Sequence, residues 1–297
     1  MIQPTPWCND QKKCPCCETH PMTRVFSSND RFFNRNIIYD FLGCPSCRCL
    51  ILFPRNNDWC VNEAYPDNYR PYIATPLCWY HQMLSWYCFP KLPKTTPMPI
   101  WDIGAGTGLY LEYLSRKYKN VSGIEMDAAA VRAAQSLGRQ LTHGTWESFE
   151  PGDGNVGTLV MNHAIEHLLM PPKDVFAKAY RILKPGGLWC IRTPNSNSWG
   201  RKYFNEFWLH LDPPRHTVIY SLQAVKHLAE RTGFELQSLR YAGKPFDLTQ
   251  SVHLSLTRRG SRFFATRPTH PILARRPFFC GMVKSPSTWG CYRYFIA

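Results

Sequence analysis

The sequence predicts an α/β fold in which helices cover both faces of a largely parallel sheet, preceded by a small cysteine-rich module. From Pro99 onward, short apolar runs alternate with amphipathic helical patterns, which is typical of strands joined by crossover helices. The first run, Ile100-Trp101, leads through Asp102 into a glycine-rich turn at residues 104–108. Two Cys-x-x-Cys pairs lie in the first sixty residues.

Length and composition indicate a folded globular chain. The 297 residues suffice for one large α/β domain and a small module, and 44% hydrophobic with 19% charged residues excludes a disordered chain. No run of 18 apolar residues occurs, so we expect no membrane-spanning helix. Residues 1–6 lack the basic and apolar segments of a signal peptide, and we predict a cytoplasmic protein.

The net charge of +14 is concentrated near the C-terminus. Residues 240–297 hold ten Lys and Arg against one acid, Asp247, so +9 of the +14 lies there. Such a segment predicts an anionic partner: nucleic acid, a phosphorylated or carboxylated substrate, or an acidic carrier protein. A solvated surface is the alternative, because no nucleic-acid-binding motif accompanies the charge.

Cysteines cluster at the N-terminus, where eight of the thirteen lie in the first sixty residues. In a reducing compartment, Cys-x-x-Cys turns favour metal over disulfides. Two such turns can supply four thiolates to a closed, structural Zn²⁺ site, with short strands at 24–26 and 37–42 between them. The predicted ligands are Cys14, Cys17, Cys44 and Cys47. Cys16 or Cys49 could replace a neighbour as ligand, and four unrelated reduced cysteines are the alternative. We assign this module to residues 1–62.

An aromatic-rich stretch separates the module from the α/β segment. Residues 76–88 predict a helix, and the proline-rich residues 91–99 then break secondary structure. We therefore place a linker helix or lid at residues 63–97, with core packing as the alternative role of its aromatic side chains.

The α/β segment, residues 98–243, contains six strand patterns and four helical patterns. The strand patterns lie at residues 100–102, 121–125, near 141, 158–162, 188–192 and 234–241. The helical patterns lie at residues 109–118, 128–137, 171–183 and 222–232. Asp127 can cap the second helix, and Pro171-Pro172 open the third. The basic extension, residues 244–297, is predicted to complete the sheet or the substrate site.

Ligands of open α/β sheets bind beyond the carboxyl ends of the strands. There the sequence places Asp102 with the glycines, Glu125, and Asn162-His163. Glycines let the backbone approach a ligand, and the helix start that follows offers free N–H groups. Glu125, 17 positions after Gly108, can accept hydrogen bonds from both hydroxyls of a ribose. The pattern predicts a nucleotide-type ligand.

Five ordered motifs resemble class I S-adenosylmethionine-dependent methyltransferases, most closely the ubiquinone-biosynthesis-type branch. They are residues 102–108 (DIGAGTG), 123–125 (GIE), 162–167 (NHAIEH), 181–187 (RILKPGG) and 193–195 (TPN), and they span about half of the chain. The cysteine pairs followed by residues 65–69 resemble the zinc-ribbon segment that precedes some of these domains, and residues 208–216 resemble the branch's substrate-side loop. The resemblance implies a Rossmann-like sheet and S-adenosylmethionine as methyl donor.

The resemblance also implies roles for residues at the strand ends. The predicted cofactor-binding residues are Asp102, Gly104, Ala105, Gly106, Gly108, Glu125, Met126, Trp146, Asn162 and His163. Among them, the glycines would admit the methionine and ribose parts, Asp102 would organise the turn or the ammonium through water, and Glu125 would hold the ribose hydroxyls. Trp146 or its neighbours would flank the adenine.

A hydroxyl or acidic carbon acceptor needs a base, and histidine is the usual one. We predict His216, in the loop expected to face substrate, as the catalytic base. His163 is the second candidate, because contact with the cofactor is an equally good use of it. A structural role is the alternative for each histidine. Ubiquinone-type relatives can hold a divalent metal on two acids and a histidine. Here His163 replaces the first acid and leaves Glu166 and His167, so the pattern disfavours a catalytic Mg²⁺.

The leading hypothesis is S-adenosylmethionine-dependent methyl transfer to O, N or C of a small-molecule acceptor in a biosynthetic or natural-product pathway. Anionic and carrier-bound acceptors are included. The alternative is a zinc-ribbon module that binds nucleic acid or protein while the methyltransferase domain modifies a macromolecule. A nicotinamide-dependent dehydrogenase is disfavoured, because Leu109 replaces the third glycine of the dinucleotide fingerprint. The oligomeric state does not follow from the sequence.

Overall fold

The computed structural model describes residues 13–31, 33, 35, 37–54, 64–65, 74–83, 89–241, 245–257 and 279–284. The strands among these residues are β1 Thr23–Asn29, β2 Ile38–Gly43, β3 Leu50–Pro54, β4 Ile100–Ile103, β5 Val121–Glu125, β6 Leu141–His143, β7 Val156–Asn162, β8 Leu183–Thr193, β9 Val218–Ile219, β10 Glu235–Tyr241 and β11 Phe279–Lys284. The α-helices are α1 Trp79–Met83, α2 Leu109–Ser115, α3 Ala128–Gln135, α4 Pro172–Ile182, α5 Trp199–Phe204, α6 Leu222–Thr232 and α7 Pro245–Thr257. Three 3₁₀ turns lie at Ile165–His167, Asn205–Phe207 and Leu209–Leu211.

The larger sheet has seven strands in the order β10-β11-β8-β7-β4-β5-β6. The five strands from β8 to β6 are parallel, and β11 runs antiparallel to both of its neighbours. β11 comes from the basic extension and lies between β8 and β10. The predicted α/β fold with a mainly parallel, Rossmann-like sheet is confirmed.

Successive side chains of the central strands point to opposite faces of this sheet, and each face carries an apolar core. On β8, Cys190 joins the cluster that contains Leu114 of α2, whereas its neighbour Trp189 joins the cluster that contains Phe176 of α4. Successive strand residues point to opposite faces, so a strand with apolar side chains throughout is buried on both. Each large side chain buried in this way stabilises the fold by about 2 kcal/mol.

Local signals set the helix boundaries of the α/β segment. The Asp127 carboxylate caps α3 by accepting a 2.7 Å hydrogen bond from the Ala130 N–H, and Ser221 caps α6 in the same way through Ala224. The predicted helices and strands recur with small shifts at their ends. The largest shift is in β8, which begins at Leu183 rather than 188, because Leu183 already pairs with Val156 across a register shift.

A second sheet joins the cysteine-rich segment to the α/β segment. Its order is β1-β2-β3-β9, so the last strand comes from residues 218–219, far along the chain. Leu50 pairs with Ile219, and Ile51 pairs with Val218. The apolar face of this sheet packs on a cluster that includes Trp208 of the predicted substrate-side loop. The cysteine-rich strands therefore support that loop directly.

Some predictions concern residues that lie outside the described ranges. Only α1 represents the predicted linker helix, since residues 84–88 are outside the described part, as are most of the basic residues of the C-terminal extension. In the ranges that are described, no helix is both long enough and apolar enough to cross a membrane. The cytoplasmic location stays a prediction.

Candidate active site

The chain extends the sheet in opposite directions from β4: β5 and β6 lie on one side of it, and β7 and β8 lie on the other. The connections after β4 and β7 therefore diverge and leave a crevice beyond the carboxyl ends of these two strands. This is the position where open α/β sheets bind ligands. The glycine-rich turn follows β4 directly, and residues 163–167 follow β7.

The glycine-rich turn lies close to the segment after β7. Gly104, Gly106 and Gly108 have φ of +67°, +56° and +72°. A Cβ built on Gly104 would lie 2.8 Å from the Cβ of Ala164, which no ordinary contact permits. Gly108 begins α2 in the left-handed region, which positions the first N–H groups of that helix at the crevice. The turn thus needs glycine both for its backbone angles and for this close approach.

Glu125 braces the turn from the end of β5. Its carboxylate accepts hydrogen bonds from the Gly106 N–H at 2.8 Å and the Asp127 N–H at 3.0 Å. Burial raises the pKa of Glu125, and these backbone donors oppose the rise. Each carboxylate oxygen accepts one of the two bonds and retains capacity for another.

Asp102 is the next-to-last residue of β4, just before the glycine-rich turn, and is 2% exposed. Burial, with the nearby Glu125 carboxylate as a second cause, raises the pKa of Asp102 from its ordinary 3.8 to about 8. Among the described residues, its Oδ1 atom has no hydrogen-bond partner. A buried acid of this kind is suited to a polar or cationic group entering from the crevice.

The residues after β7 present a second polar edge. His163 has φ of +63°, and its Nδ1 lies 3.1 Å from a carboxylate oxygen of Glu166. The side-chain oxygen of Asn162 is buried without a hydrogen-bond partner among the described residues. Asn162 and His163 thus lie beside the crevice, across from the glycine-rich turn.

The predicted adenine-side residues divide into two groups. Met126 is 41% exposed directly after Glu125, whereas Trp146 is 2% exposed and packs against Phe149 and Lys178. A cavity of about 250 Å³ is lined by Gly144 and Thr145 of the turn before Trp146, and by Phe149. Ala105 lies in the glycine-rich turn, where its N–H donates to the Ile124 carbonyl.

His216 lies on the same side of the structure, buried in the predicted substrate-side loop. Its Nδ1 is 2.9 Å from the His210 carbonyl oxygen, which indicates a proton on Nδ1, and its Nε2 lies 3.9 Å from a carboxylate oxygen of Asp212. Its ring packs edge-on against His167, with ring centroids 4.6 Å apart. Ligand atoms of Glu166, His167 and His216 lie within 4.8 Å of one another. The structure therefore brings both predicted bases near Glu166.

A model of the methyltransferase domain family matches residues 84–239, which is more than half of the chain. The chain belongs to this family. The matched residues include the glycine-rich turn and the strands beside the crevice at β4.

The methyltransferase domain also resembles individual proteins. A relative from Mycolicibacterium smegmatis, named "Probable S-adenosylmethionine-dependent methyltransferase", is 24% identical over 140 residues, which are 46% of this chain and 52% of the relative. The chain thus spans about half of that relative's length. The YcgJ protein of Bacillus subtilis is 15% identical with a TM-score of 0.48, covering 65% of this chain and 93% of that one. A SAM-dependent methyltransferase of Methanosarcina mazei is 16% identical with a TM-score of 0.46, covering 69% and 97%.

Two buried arginines near the candidate site were not predicted as functional residues. Arg139 is buried, and it donates to the Thr107 carbonyl in the glycine-rich turn and to the Glu112 carboxylate on α2. Arg215, next to His216, pairs with Asp30 near the N-terminus. Arg215 lies in the DPPRH motif of the predicted substrate-side loop. No sequence signal connects it with Asp30.

The four predicted zinc ligands of the cysteine-rich module meet in one place. Ligand atoms of Cys14, Cys17, Cys44 and Cys47 lie within 4.8 Å of one another, and all four residues are buried. The backbone N–H of Cys47 donates to the sulfur of Cys44, and that of Cys16 donates to the sulfur of Cys14, each at 3.4 Å. The neighbouring thiols of Cys16, Cys47 and Cys49 hold the pKa of Cys14 well below its usual range. Four soft sulfur ligands suit Zn²⁺, which binds four ligands in a tetrahedral arrangement.

Proposed function

We propose that this chain catalyses S-adenosylmethionine-dependent methyl transfer to a small-molecule acceptor. One observation carries the proposal: the Glu125 carboxylate, which accepts a hydrogen bond from the Gly106 N–H at the point where the strand order reverses. This hydrogen bond joins the acid that is suited to ribose hydroxyls with the turn whose backbone can approach the ligand closely. Membership of the methyltransferase domain family supports the same activity.

The residues of the crevice fit the proposed cofactor. The close approach at Gly104 forms a cradle that a side chain would fill, and the unpartnered Asp102 oxygen provides a buried acceptor. In the proposed arrangement, Asp102 orients the ammonium of the methionine part, Glu125 accepts from the ribose, and Met126 covers the adenine. Asn162 and His163 contact the opposite edge. The bound cofactor supplies a methyl group on a cationic sulfonium.

His216 is the proposed base for an acceptor hydroxyl, amine or acidic carbon. An imidazole whose Nδ1 proton is held by the His210 carbonyl can accept a proton at Nε2. His163, fixed by Glu166, is the second candidate. The remaining task of the chain is to align the acceptor with the methyl group and to exclude water.

A structural zinc ion on Cys14, Cys17, Cys44 and Cys47 is part of the proposal, together with the division into a module at residues 1–62, a linker at 63–97, the catalytic domain at 98–243 and the extension at 244–297. In this reading the zinc module fixes the substrate-side loop through the β3–β9 pairing. The ubiquinone-type branch, the biosynthetic pathway and the cytoplasmic location belong to the same proposal.

Calorimetric titration with S-adenosylhomocysteine tests the cofactor claim. We expect the full-length protein to bind it, Gly106→Arg to lose binding, and Glu125→Ala to lose about 10- to 100-fold in affinity, as removal of a charged hydrogen-bond partner implies. Gly138→Ala is the matched control, since Gly138 has φ of +73° but no atom within 4 Å of its added Cβ. Lack of binding by the correctly folded wild-type protein would exclude the proposal.

A macromolecular acceptor is the second candidate, and the +9 charge of residues 240–297 favours it. A fluorescence-anisotropy titration with a single-stranded oligonucleotide at several salt concentrations separates the two. Binding that weakens steeply with salt supports a nucleic-acid acceptor. Absence of binding at low salt supports the small molecule.

A further inference from the structure

Six sulfurs, not four, surround the predicted zinc site. All six cysteines of this cluster are buried, and none forms a disulfide. The six residues, called the thiol cluster below, are Cys14, Cys16, Cys17, Cys44, Cys47 and Cys49. A single tetrahedral ion uses four of them and leaves Cys16 and Cys49 without a metal-binding role.

The six sulfurs fall into two groups that share one pair. The shared pair is Cys14 and Cys47, whose Sγ atoms lie 3.5 Å apart. On one side of it, the Sγ atoms of Cys17 and Cys44 lie 3.5 Å apart and complete the first group.

On the other side, the Cys49 sulfur lies 3.4 Å from Cys14 and 3.5 Å from Cys47. Ligand atoms of Cys14, Cys16 and Cys49 lie within 4.8 Å of one another. Cys49 therefore contacts both sulfurs of the shared pair, and Cys16 lies within ligand distance of one of them.

These separations match the needs of thiolate-bound zinc. A Zn–S bond of about 2.3 Å places the sulfurs of a tetrahedral site about 3.8 Å apart. Sulfurs that are 3.4–3.5 Å apart can therefore become co-ligands through small side-chain rotations. Both groups provide the soft ligands that zinc prefers.

Charge does not oppose a second ion. One Zn²⁺ with four thiolates carries −2, and two Zn²⁺ with six thiolates also carry −2. Binding of the second ion releases the protons of Cys16 and Cys49 to solvent, so the buried charge stays the same. Two fully buried thiols beside a thiolate pair thus provide a site at no added cost in buried charge.

We propose that the thiol cluster binds two Zn²⁺ ions, with Cys14 and Cys47 bridging them. Cys17 and Cys44 complete the first site, and Cys16 and Cys49 complete the second. The inference extends the single zinc ion of the proposed function and does not depend on methyltransferase activity.

The two-ion cluster would tie the cysteine-rich segment to the methyltransferase domain. The Cys47 carbonyl accepts a hydrogen bond from the Ser221 hydroxyl, and the Arg48 carbonyl accepts one from Ser196 at 2.6 Å. The second site adjoins these contacts, because Cys49 directly follows Cys47 and Arg48 in the sequence. Its ion would therefore stabilise the segment that contacts Ser196 and Ser221.

Metal stoichiometry of the full-length protein, purified with zinc and without chelator, tests the proposal. Native mass spectrometry should give two Zn²⁺ per chain. Replacement of zinc by ¹¹³Cd should give two resonances coupled to each other, because shared sulfurs transmit scalar coupling between the ions. This measurement needs no variant, so it holds even if the variants fold poorly.

Single variants assign the second ion. Cys16→Ser and Cys49→Ser should each retain one ion, whereas Cys190→Ala, a buried cysteine on β8, should retain two. One equivalent in the wild-type protein overturns the bridged pair and leaves the single zinc of the proposed function intact. Two uncoupled cadmium resonances also overturn it, since the second ion would then lie elsewhere.

Discussion

The Arg215 guanidinium lies 2.7 Å from a carboxylate oxygen of Asp30, 185 positions earlier in the chain, and both side chains are completely buried. Arg215 also contacts Asp212 and donates to the Ala64 carbonyl. The predicted substrate-side loop is thus held to the N-terminal segment by a buried ionic network beside the proposed base, His216.

Asp30→Ala should destabilise the protein by about 3–5 kcal/mol, because it leaves the buried Arg215 with less compensating charge. Urea denaturation measures the change in the free energy of unfolding. Arg116→Ala is the control: Arg116 pairs with Glu112 on an exposed helix face, and its loss should cost less than about 1 kcal/mol. Equal costs for the two variants would show that the Asp30 pair is not buried in solution.

Gly104→Ala should weaken S-adenosylhomocysteine binding at least tenfold, because the added Cβ would lie 2.8 Å from Ala164 at the crevice. Gly138→Ala imposes a similar positive-φ strain of about 1–2 kcal/mol without that contact, so its affinity should stay within twofold of the wild type. Calorimetry measures both affinities. If both variants bind like the wild type, the glycine-rich turn does not line the cofactor site.

Asp102 should make the protein less stable as pH rises through neutrality. Its folded pKa of about 8 exceeds the ordinary 3.8, so between these values the folded state binds more protons than the unfolded state. The free energy of unfolding then falls with increasing pH in this window, by about 1 kcal/mol per pH unit.

Asp102→Asn should remove this slope, and the comparison is made by urea denaturation at several pH values from 5 to 8. Glu125 also has a raised pKa and is present in both proteins, so its contribution largely cancels. Parallel pH curves for the two proteins would contradict a raised pKa at Asp102.

His216→Asn should lower kcat about 10²- to 10⁴-fold on an acceptor that requires deprotonation, and the acidic limb of the pH–rate profile should disappear. Affinity for S-adenosylhomocysteine should stay within twofold, because His216 is proposed to contact the acceptor. Methyl transfer from radiolabelled donor gives the rates, on an acceptor found by screening. His227→Asn, on the exposed face of α6, is the control. Unchanged kcat in His216→Asn would assign the base elsewhere, with His163 next.

Much of the α/β domain follows from local sequence signals. Alternating apolar runs and helical patterns predict β4 to β8, because strand pleat and helix pitch impose different periods on buried residues. Asp127 and Pro172 mark helix starts through the backbone groups that they satisfy or omit. The Gly104–Gly108 turn and Glu125 could be located for the same reason, since their spacing reflects one strand, one turn and one helix.

Contacts between distant segments could not be predicted in this way. The pairing of β3 with β9 and the ion pair of Asp30 with Arg215 join residues separated by more than 150 positions, and no local period records them. The burial of Trp146 likewise depends on Phe149 and Lys178 closing over its ring.

The sequence by itself determined the α/β class, the glycine-rich turn with its acids, and the two cysteine pairs, because each depends on chemistry repeated over a few neighbouring residues. Only the tertiary structure decided that the cysteine-rich segment shares a sheet with β9, directly after the predicted substrate-side loop, that His163 and His216 both lie near Glu166, and that six thiols meet. Those relationships arise from packing between segments, where shape and burial, not sequence spacing, select the partners.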